Sequence, residues 1–180
     1  VTMAMVGFVQ DIATALAQVL DAQGQAFFVR AFEVLLGWSL LLQTLEQLRI
    51  QRLDRVSDWA IQRQEMPAQP PGLQALADTL FSRPGPYLGM LCVRGALAVA
   101  LMAGALPAAG AAALFAIALL LLLRWRGAFN GGSDFMTLVG LTGLLIAHAW
   151  GGWTGDMSAG WRAGLWYVAL QSITSYFVSG

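Results

Sequence analysis

The stretch PAAGAAALFAIALLLLL at residues 107–123 carries no charged side chain. An α-helix that crosses the roughly 30 Å hydrocarbon core of a bilayer needs about 20 mostly apolar residues, because each residue advances the helix by about 1.5 Å. Four further windows of similar composition comprise residues 26–48, 87–105, 134–150 and 161–178. The sequence therefore predicts an all-α protein, a polytopic membrane bundle of about five transmembrane helices.

The overall composition supports this fold class. Hydrophobic residues make up 58% of the chain and charged residues only 11%, whereas soluble domains contain about 25% charged residues. A soluble globular domain is therefore excluded. The ten cationic residues are all arginine and are balanced by ten acidic residues. Because nucleic-acid binding depends on clustered positive charge, we expect membrane lipids as partners and no nucleic acid.

Cys92 and His148 are the only cysteine and the only histidine in the sequence. One cysteine cannot form an internal disulfide, and a cysteine-based zinc or iron–sulfur site needs several such ligands. The sequence therefore requires no cofactor and indicates no metal site. Arginine without lysine, together with abundant alanine and glycine, is typical of a GC-rich bacterial genome, so we expect the cytoplasmic (inner) membrane of a bacterium.

Residues 49–86 form the one extended polar stretch, which we predict to be a loop between the first and second spans. Loops that stay in the cytoplasm carry an excess of basic residues. Seven arginines fall either in this loop or in the turn at 124–133, namely Arg49, Arg52, Arg55, Arg63, Arg83, Arg124 and Arg126. Arg162 lies on the other side. This distribution predicts that both basic segments are cytoplasmic and that the N-terminus is outside.

Residues 1–25 are apolar but carry polar residues at spacings of three and four, beginning with Gln10 and Asp11 and ending with Asp21 and Gln25. Such a polar stripe indicates an amphipathic helix that lies in the membrane interface or against partner helices. A sixth span is the alternative. Neither a basic segment nor a cleavage site marks this stretch as a signal peptide.

The first and second predicted spans each contain an arginine. Arg30 and Glu33 lie three residues apart, so they share a helix face and can neutralise each other. Because Arg30 lies near the outer end of its span, we expect its long side chain to reach the lipid headgroups. Arg94 lies on the order of 10 Å inside its span, which is too deep for that. We expect a buried partner for Arg94, such as Glu33 or a helix carbonyl, with an anionic ligand or lipid headgroup as the alternative.

The turn RWRGAFNGGSD at residues 124–134 connects the third and fourth spans. We expect Arg124 and Arg126 to anchor this turn at the lipid interface. Ser133 or Asp134 can cap the fourth helix, because their side-chain oxygens accept hydrogen bonds from its free N–H groups. A lipid phosphate bound at the same helix N-terminus is the alternative.

His148 lies near the outer end of the fourth span, among several tryptophans. We interpret it as a hydrogen-bonded interface residue, with an axial ligand to a tetrapyrrole pigment or a proton carrier as alternatives. Pairs of glycines four residues apart, Gly85 with Gly89 and Gly160 with Gly164, have the spacing of close helix contacts in membranes.

Two stretches, RWRGAFNGGSDFMTLVGLTGL at 124–144 and WYVALQSITSYFVSG at 166–180, resemble bacterial members of the horizontally transferred transmembrane (HTTM) domain family. Vitamin K-dependent gamma-carboxylases share this membrane domain. The resemblance implies that residues 87–180 form a four-helix HTTM-like segment after the first span at 26–48. It does not imply carboxylation, because the carboxylases use a lysine base and a large lumenal domain, and neither is found in these 180 residues.

From these observations we predict a non-catalytic integral membrane subunit that packs against other membrane subunits of a larger complex, such as an energy-transducing or photosynthetic one. The seven tryptophans and the deep arginine favour this role. The alternative is a small membrane enzyme or carrier for a lipid-soluble substrate such as a quinone, with Arg94, Asp134 and His148 as its polar residues. Contact with a lipid, a quinone or a pigment is compatible with either hypothesis.

Overall fold

The computed structural model describes residues 22–53, 59–64, 70–125 and 131–179, and the regular structure within these ranges is helical. In chain order the helices are α1 (Ala22–Leu53), α2 (Trp59–Gln64), α3 (Pro71–Phe81), α4 (Pro84–Met102), α5 (Ala108–Trp125), α6 (Gly131–Thr154) and α7 (Met157–Ser179). The predicted all-α class is confirmed. The amphipathic helix predicted for 1–25 lies mostly outside the described residues.

Each of the five apolar windows coincides with a long helix, but the predicted count of about five spans is not confirmed. Within the described ranges, three segments are long and apolar enough to cross a membrane, namely Gly24–Ile50, Pro84–Met102 and Asp134–Thr154. The apolar segment Ala108–Arg124 is shorter. Helix α7 is not among the three, and its polar residues include Gln171 and Thr174.

The segment 49–86, predicted as one polar loop, contains helical structure. Helix α1 continues to Leu53, and α2 and α3 lie within this segment. Two of the prolines that suggest a loop stand at helix starts, because Pro71 begins α3 and Pro84 begins α4. Proline is favoured at a first helical position, because its fixed φ suits the helix and no N–H is needed there. A polar, proline-rich composition therefore does not exclude helices here.

The short connections at 103–107 and 155–156 make α4 antiparallel to α5 and α6 antiparallel to α7. Helices α1 and α5 finish, and α4 begins, at the same end of the bundle. We call it the arginine end, after Arg49, Arg83 and Arg124. The other end, which holds Arg30 and the α4–α5 and α6–α7 turns, is called the opposite end.

Two apolar clusters hold the bundle together. The central cluster joins α1, α4, α5 and α6 and includes Leu36, Leu40, Ala98, Leu114, Leu141 and Leu144. The second cluster lies at the arginine end and includes Trp59, Ala77, Phe81, Tyr87, Leu91 and Leu121. Helices α2 and α3 therefore pack as a cap on the ends of α4 and α5. Burial of these side chains removes about 25 cal/mol of unfavourable hydration per Å² of apolar surface in water.

Glycines set the closest helix contacts. Helices α6 and α7 form the most extensive pair. A Cβ at Gly160 would fall on the Ala147 carbonyl oxygen and within 2.8 Å of the Gly151 Cα, and one at Gly164 would fall on the Gly143 carbonyl oxygen. The predicted Gly160/Gly164 contact is therefore used within the chain. At Gly89, by contrast, an added Cβ would meet no other described residue within 4 Å.

Candidate functional site

Arg94 lies near the middle of α4, ten residues after Pro84 and eight before Met102. At 1.5 Å per residue it is therefore about 15 Å from the start of the helix. Only 2% of its surface is exposed. A charged group so far inside an apolar helix needs partners in the protein, because removing its hydration is costly.

The partners of Arg94 are two glutamines of α1. Arg94 Nη2 donates to Gln43 Oε1 at 2.6 Å, and Arg94 Nη1 donates to Gln47 Oε1 at 3.2 Å. Gln43 Nε2 in turn donates to Thr137 Oγ1 of α6 at 2.8 Å. Gln43 and Gln47 are four residues apart, so they share one face of α1. The network thus connects α4, α1 and α6 through hydrogen bonds.

Asp134 supplies negative charge close to this network. It lies one turn before Thr137 on α6, and its carboxylate interacts favourably with the Arg94 guanidinium. Helix α6 already begins at Gly131, so Asp134 and Ser133 lie inside its first turn and not at the predicted N-cap. A carboxylate in a first turn still interacts favourably with the positive end of the helix dipole. The structure does not describe the Ser133 side chain.

Arg94 is buried and has partners in the protein, as predicted, but these partners are neither Glu33 nor a helix carbonyl. Glu33 and Arg94 are at different levels of the bundle, because α1 and α4 are antiparallel and Glu33 lies beside the end of α4. Sequence reasoning missed Gln43, Gln47 and Thr137. The available signal was the pair of amides four residues apart in a predicted membrane span, since such side chains hydrogen-bond across helices in membranes.

Arg30 and Glu33 form the predicted ion pair at the opposite end. Arg30 Nη2 also donates to the Met102 carbonyl oxygen at 2.8 Å. That carbonyl belongs to the last turn of α4, where cations interact favourably with free carbonyls and with the helix dipole. The guanidinium also occupies the place of a Cβ on Gly104, which has a φ of 72°. Arg30 therefore ties α1 to the α4–α5 turn.

His148 lies at the same end as Arg30 and is partly buried. Its ring is 6.1 Å from the Trp161 ring, and it interacts electrostatically with Glu33. Within the described ranges no three His, Cys, Asp or Glu side chains could together hold a metal ion. Asp134 and His148 are fourteen residues apart on one helix, about 21 Å along its axis. The structure therefore places Asp134 within electrostatic range of Arg94 but does not bring His148 to them.

Arg124 is buried against protein side chains, whereas the sequence analysis expected it to contact lipid headgroups. Only 7% of it is exposed, and its guanidinium carbon is 4.3 Å from the centroid of the Tyr87 ring and 5.2 Å from that of Phe81. These distances are typical of cation–π interactions. The burial arises because α3 places Phe81 over the end of α5. Arg126 lies outside the described residues.

The exposed surface of α7 carries a polar side chain among apolar ones. Gln171 is exposed, between exposed Leu170 and Ile173. The neighbouring hydroxyls bond to their own helix: Ser172 Oγ donates to Val168 O, and Thr174 Oγ1 donates to Leu170 O, each at 2.8 Å. Among the residues that the structure describes, none hydrogen-bonds to the Gln171 amide.

Comparison with known proteins finds no protein-family model, no curated protein and no solved structure that matches this chain. Its function must therefore be inferred from the geometry of the chain itself.

Proposed function

We propose that this chain is a multi-pass integral membrane protein that acts as a non-catalytic subunit and binds other membrane proteins through the outer face of α7. The proposal includes about five spans, with α5 and α7 added to the three long apolar helices. Large apolar side chains on the outside of these helices, such as Trp38, Val99 and Phe135, are more than half exposed and suit a lipid environment.

The observation that carries the subunit role is the position of Gln171. It lies nine residues beyond Arg162, or about 14 Å along the helix, which is close to half of the roughly 30 Å hydrocarbon core. Polar side chains at this depth almost always face protein, because lipid offers no hydrogen-bond partner. An exposed glutamine here indicates that a helix of another protein covers this face, and amides are among the side chains that join membrane helices.

The internal polar network supports a structural use of the other polar residues. Gln43 hydrogen-bonds to both Arg94 and Thr137, which connects three helices. Arg94 is therefore accounted for within the chain and no longer suggests an external partner. The HTTM resemblance of 124–144 and 166–180 fits a membrane bundle of this kind and remains a proposal.

We also propose the orientation from the described arginines. Arg49, Arg63, Arg83 and Arg124 belong to the arginine end, and Arg30 and Arg162 to the opposite end. By the positive-inside rule the arginine end faces the cytoplasm of a bacterium, and the N-terminus is outside. Impermeant thiol reagents should then miss Gln64→Cys in intact cells of a Cys92→Ala variant and label Thr154→Cys.

The subunit role is tested by Gln171→Leu, with Gln64→Leu as the matched control on exposed α2. Each variant is purified from its native membrane in mild detergent, and co-eluting membrane proteins are quantified by mass spectrometry. We expect Gln171→Leu to reach normal abundance in the membrane but to lose at least about fivefold of the partner, roughly 1 kcal/mol of binding. Gln64→Leu should retain it. Purification of the wild-type chain without a stoichiometric partner would contradict the proposal.

A further inference from the structure

We propose that α3 lies in the headgroup layer of the membrane, with Leu73 and Leu76 among the acyl chains and with exposed arginines of the same end on anionic lipid headgroups. The inference rests on the membrane insertion proposed above and is independent of the α7 partner. It replaces the water-exposed loop predicted for this part of the sequence with a specific lipid-binding surface.

The sides of α3 have different surroundings in the structure. Ala77 and Phe81 are buried against α4 and α5. The polar side is covered by α2, because Trp59 Nε1 donates to Asp78 Oδ1 at 2.9 Å and Arg63 Nη2 lies 3.1 Å from Asp78 Oδ2. The remaining flank next to the buried face is apolar and open.

That open flank is formed by two leucines three residues apart. Leu73 is 36% exposed and Leu76 is 47% exposed. Their neighbour Leu80 is partly buried in the same cluster as Phe81. The flank therefore extends the apolar core of the arginine end sideways, beyond the cover that the described part of the chain supplies. Amphipathic helices with such a flank lie in the plane of the membrane interface.

The connection to α4 sets the height of α3. Only Ser82 and Arg83 separate Phe81 from Pro84. Helix α4 has 19 residues and is therefore about 28 Å long, close to the thickness of the hydrocarbon core. The end of α3 is consequently at the boundary between acyl chains and headgroups.

Charge at this level favours a lipid surface as the occupant. Arg49 and Arg83 are exposed at the arginine end, and the Arg63 side chain is about half exposed. Anionic headgroups attract basic residues that lie at the membrane surface. The exposed leucines and arginines therefore match the two layers that meet there, the acyl chains and the phosphates. A protein partner on the same flank is an outcome that the test separates.

The test measures membrane depth with spin labels. The full chain is reconstituted in vesicles of phosphatidylcholine with phosphatidylglycerol. Single labels are placed on native Cys92, which is exposed on α4, and, in a Cys92→Ala background, at Leu73→Cys, Leu76→Cys and the control Ala75→Cys. Power-saturation EPR then compares collisions with oxygen, which concentrates in acyl chains, and with a water-soluble nickel chelate.

We expect the labels at Leu73→Cys and Leu76→Cys to have an oxygen-to-nickel ratio at least about threefold above that at Ala75→Cys, whose position is exposed on the other flank of α3. Equal ratios at the three positions would overturn the proposal. So would protection of both leucine positions from oxygen and nickel alike, which would indicate a protein cover. A nickel-accessible label on Cys92 would instead show that membrane insertion itself is wrong.

A second arm tests the arginines. The label at Leu76→Cys should move toward water, with a lower oxygen-to-nickel ratio, when Arg49→Gln and Arg83→Gln are combined or when phosphatidylglycerol is omitted. Arg162→Gln at the opposite end is the matched control and should have no effect. Insensitivity of the depth to both changes would overturn the role of anionic headgroups.

Discussion

Arg94 of α4 donates to the side-chain oxygen of Gln43 on α1 at 2.6 Å, and this bond joins two helices at the middle of the bundle. Gln43 in turn donates a hydrogen bond to Thr137 of α6. The deep guanidinium is therefore hydrogen-bonded by two amide side chains, and the Asp134 carboxylate adds a favourable charge. Hydrogen bonds to charged groups contribute about 1.5–3 kcal/mol each, so this contact is a major determinant of how the three helices pack.

Changing both partners of this bond should cost less than the sum of the single changes. Gln43→Leu removes the acceptor of the shorter of the two hydrogen bonds from buried Arg94 and should lower the free energy of unfolding by about 1.5–3 kcal/mol. Arg94→Met should also destabilise, because it leaves Gln43 and Gln47 short of a donor. In the double variant both polar groups are gone, and an apolar pair can be nearly neutral.

The measurement is a double-mutant cycle on thermal or denaturant unfolding in detergent micelles. Gln171→Leu makes the same chemical change as Gln43→Leu on an exposed face and should leave the isolated chain nearly unchanged. Additivity of the two single variants within about 0.5 kcal/mol would contradict the coupling.

The contact between α6 and α7 should be intolerant of added volume at Gly160. Gly160→Ala places a Cβ on the Ala147 carbonyl oxygen and 2.7 Å from the Gly151 backbone nitrogen, so the helices must separate. Overpacking of this kind costs about 1–3 kcal/mol. Gly89→Ala on α4 has open space for the same methyl group and should be neutral or slightly stabilising. Equal melting temperatures for the two variants would contradict the packing.

The two glycines with positive φ should respond differently to alanine. Gly104 and Gly155 both have a φ of 72°, so either substitution should cost about 1–2 kcal/mol from backbone strain. Only at Gly104 does the Arg30 guanidinium also occupy the Cβ position. Gly104→Ala should therefore destabilise more than Gly155→Ala. In an Arg30→Ala background, Gly104→Ala should cost no more stability than Gly155→Ala. An extra cost that persists in this background would contradict the steric argument.

The long helices were predictable because hydropathy depends on local composition. Even so, the windows at 26–48 and 134–150 are shorter than α1 and α6, since polar residues extend a helix without changing its hydropathy peak. Helix α3 was missed for a related reason. Its prolines suggested a loop, although Pro71 is at a position where proline favours a helix start.

The network around Arg94 was only partly predictable. Depth in the helix indicated a buried partner, but the partners are 51 and 47 residues away in sequence, on a helix whose register with α4 no local pattern specifies. Gln43 lies level with Arg94 because Gly37 approaches α4 closely: a Cβ there would be 2.5 Å from Met102 Cγ and 2.8 Å from the Ala98 carbonyl oxygen. The Arg30–Glu33 pair could be predicted because a spacing of three brings both residues to one face of α1.

Substitution of Arg124 can distinguish burial in protein from contact with lipid. If it anchored the chain in headgroups, lysine would replace it without loss, and its effect would depend on anionic lipid. In the structure it lies 4.3 Å from the Tyr87 ring and is 7% exposed. Arg124→Lys should therefore lower the free energy of unfolding by about 0.5–2 kcal/mol, because lysine is more strongly hydrated and lacks the planar group that stacks on a ring.

Exposed Arg83 at the same end provides the matched control for Arg124. Unfolding of Arg124→Lys and Arg83→Lys is compared in micelles with and without phosphatidylglycerol. We expect the loss in Arg124→Lys to be independent of the lipid, because the Phe81 and Tyr87 rings that it contacts belong to the protein. Arg83→Lys should be nearly neutral in both conditions. A loss in Arg124→Lys that appears only with anionic lipid would instead place the guanidinium at the headgroups and restore the interfacial role expected from its sequence position.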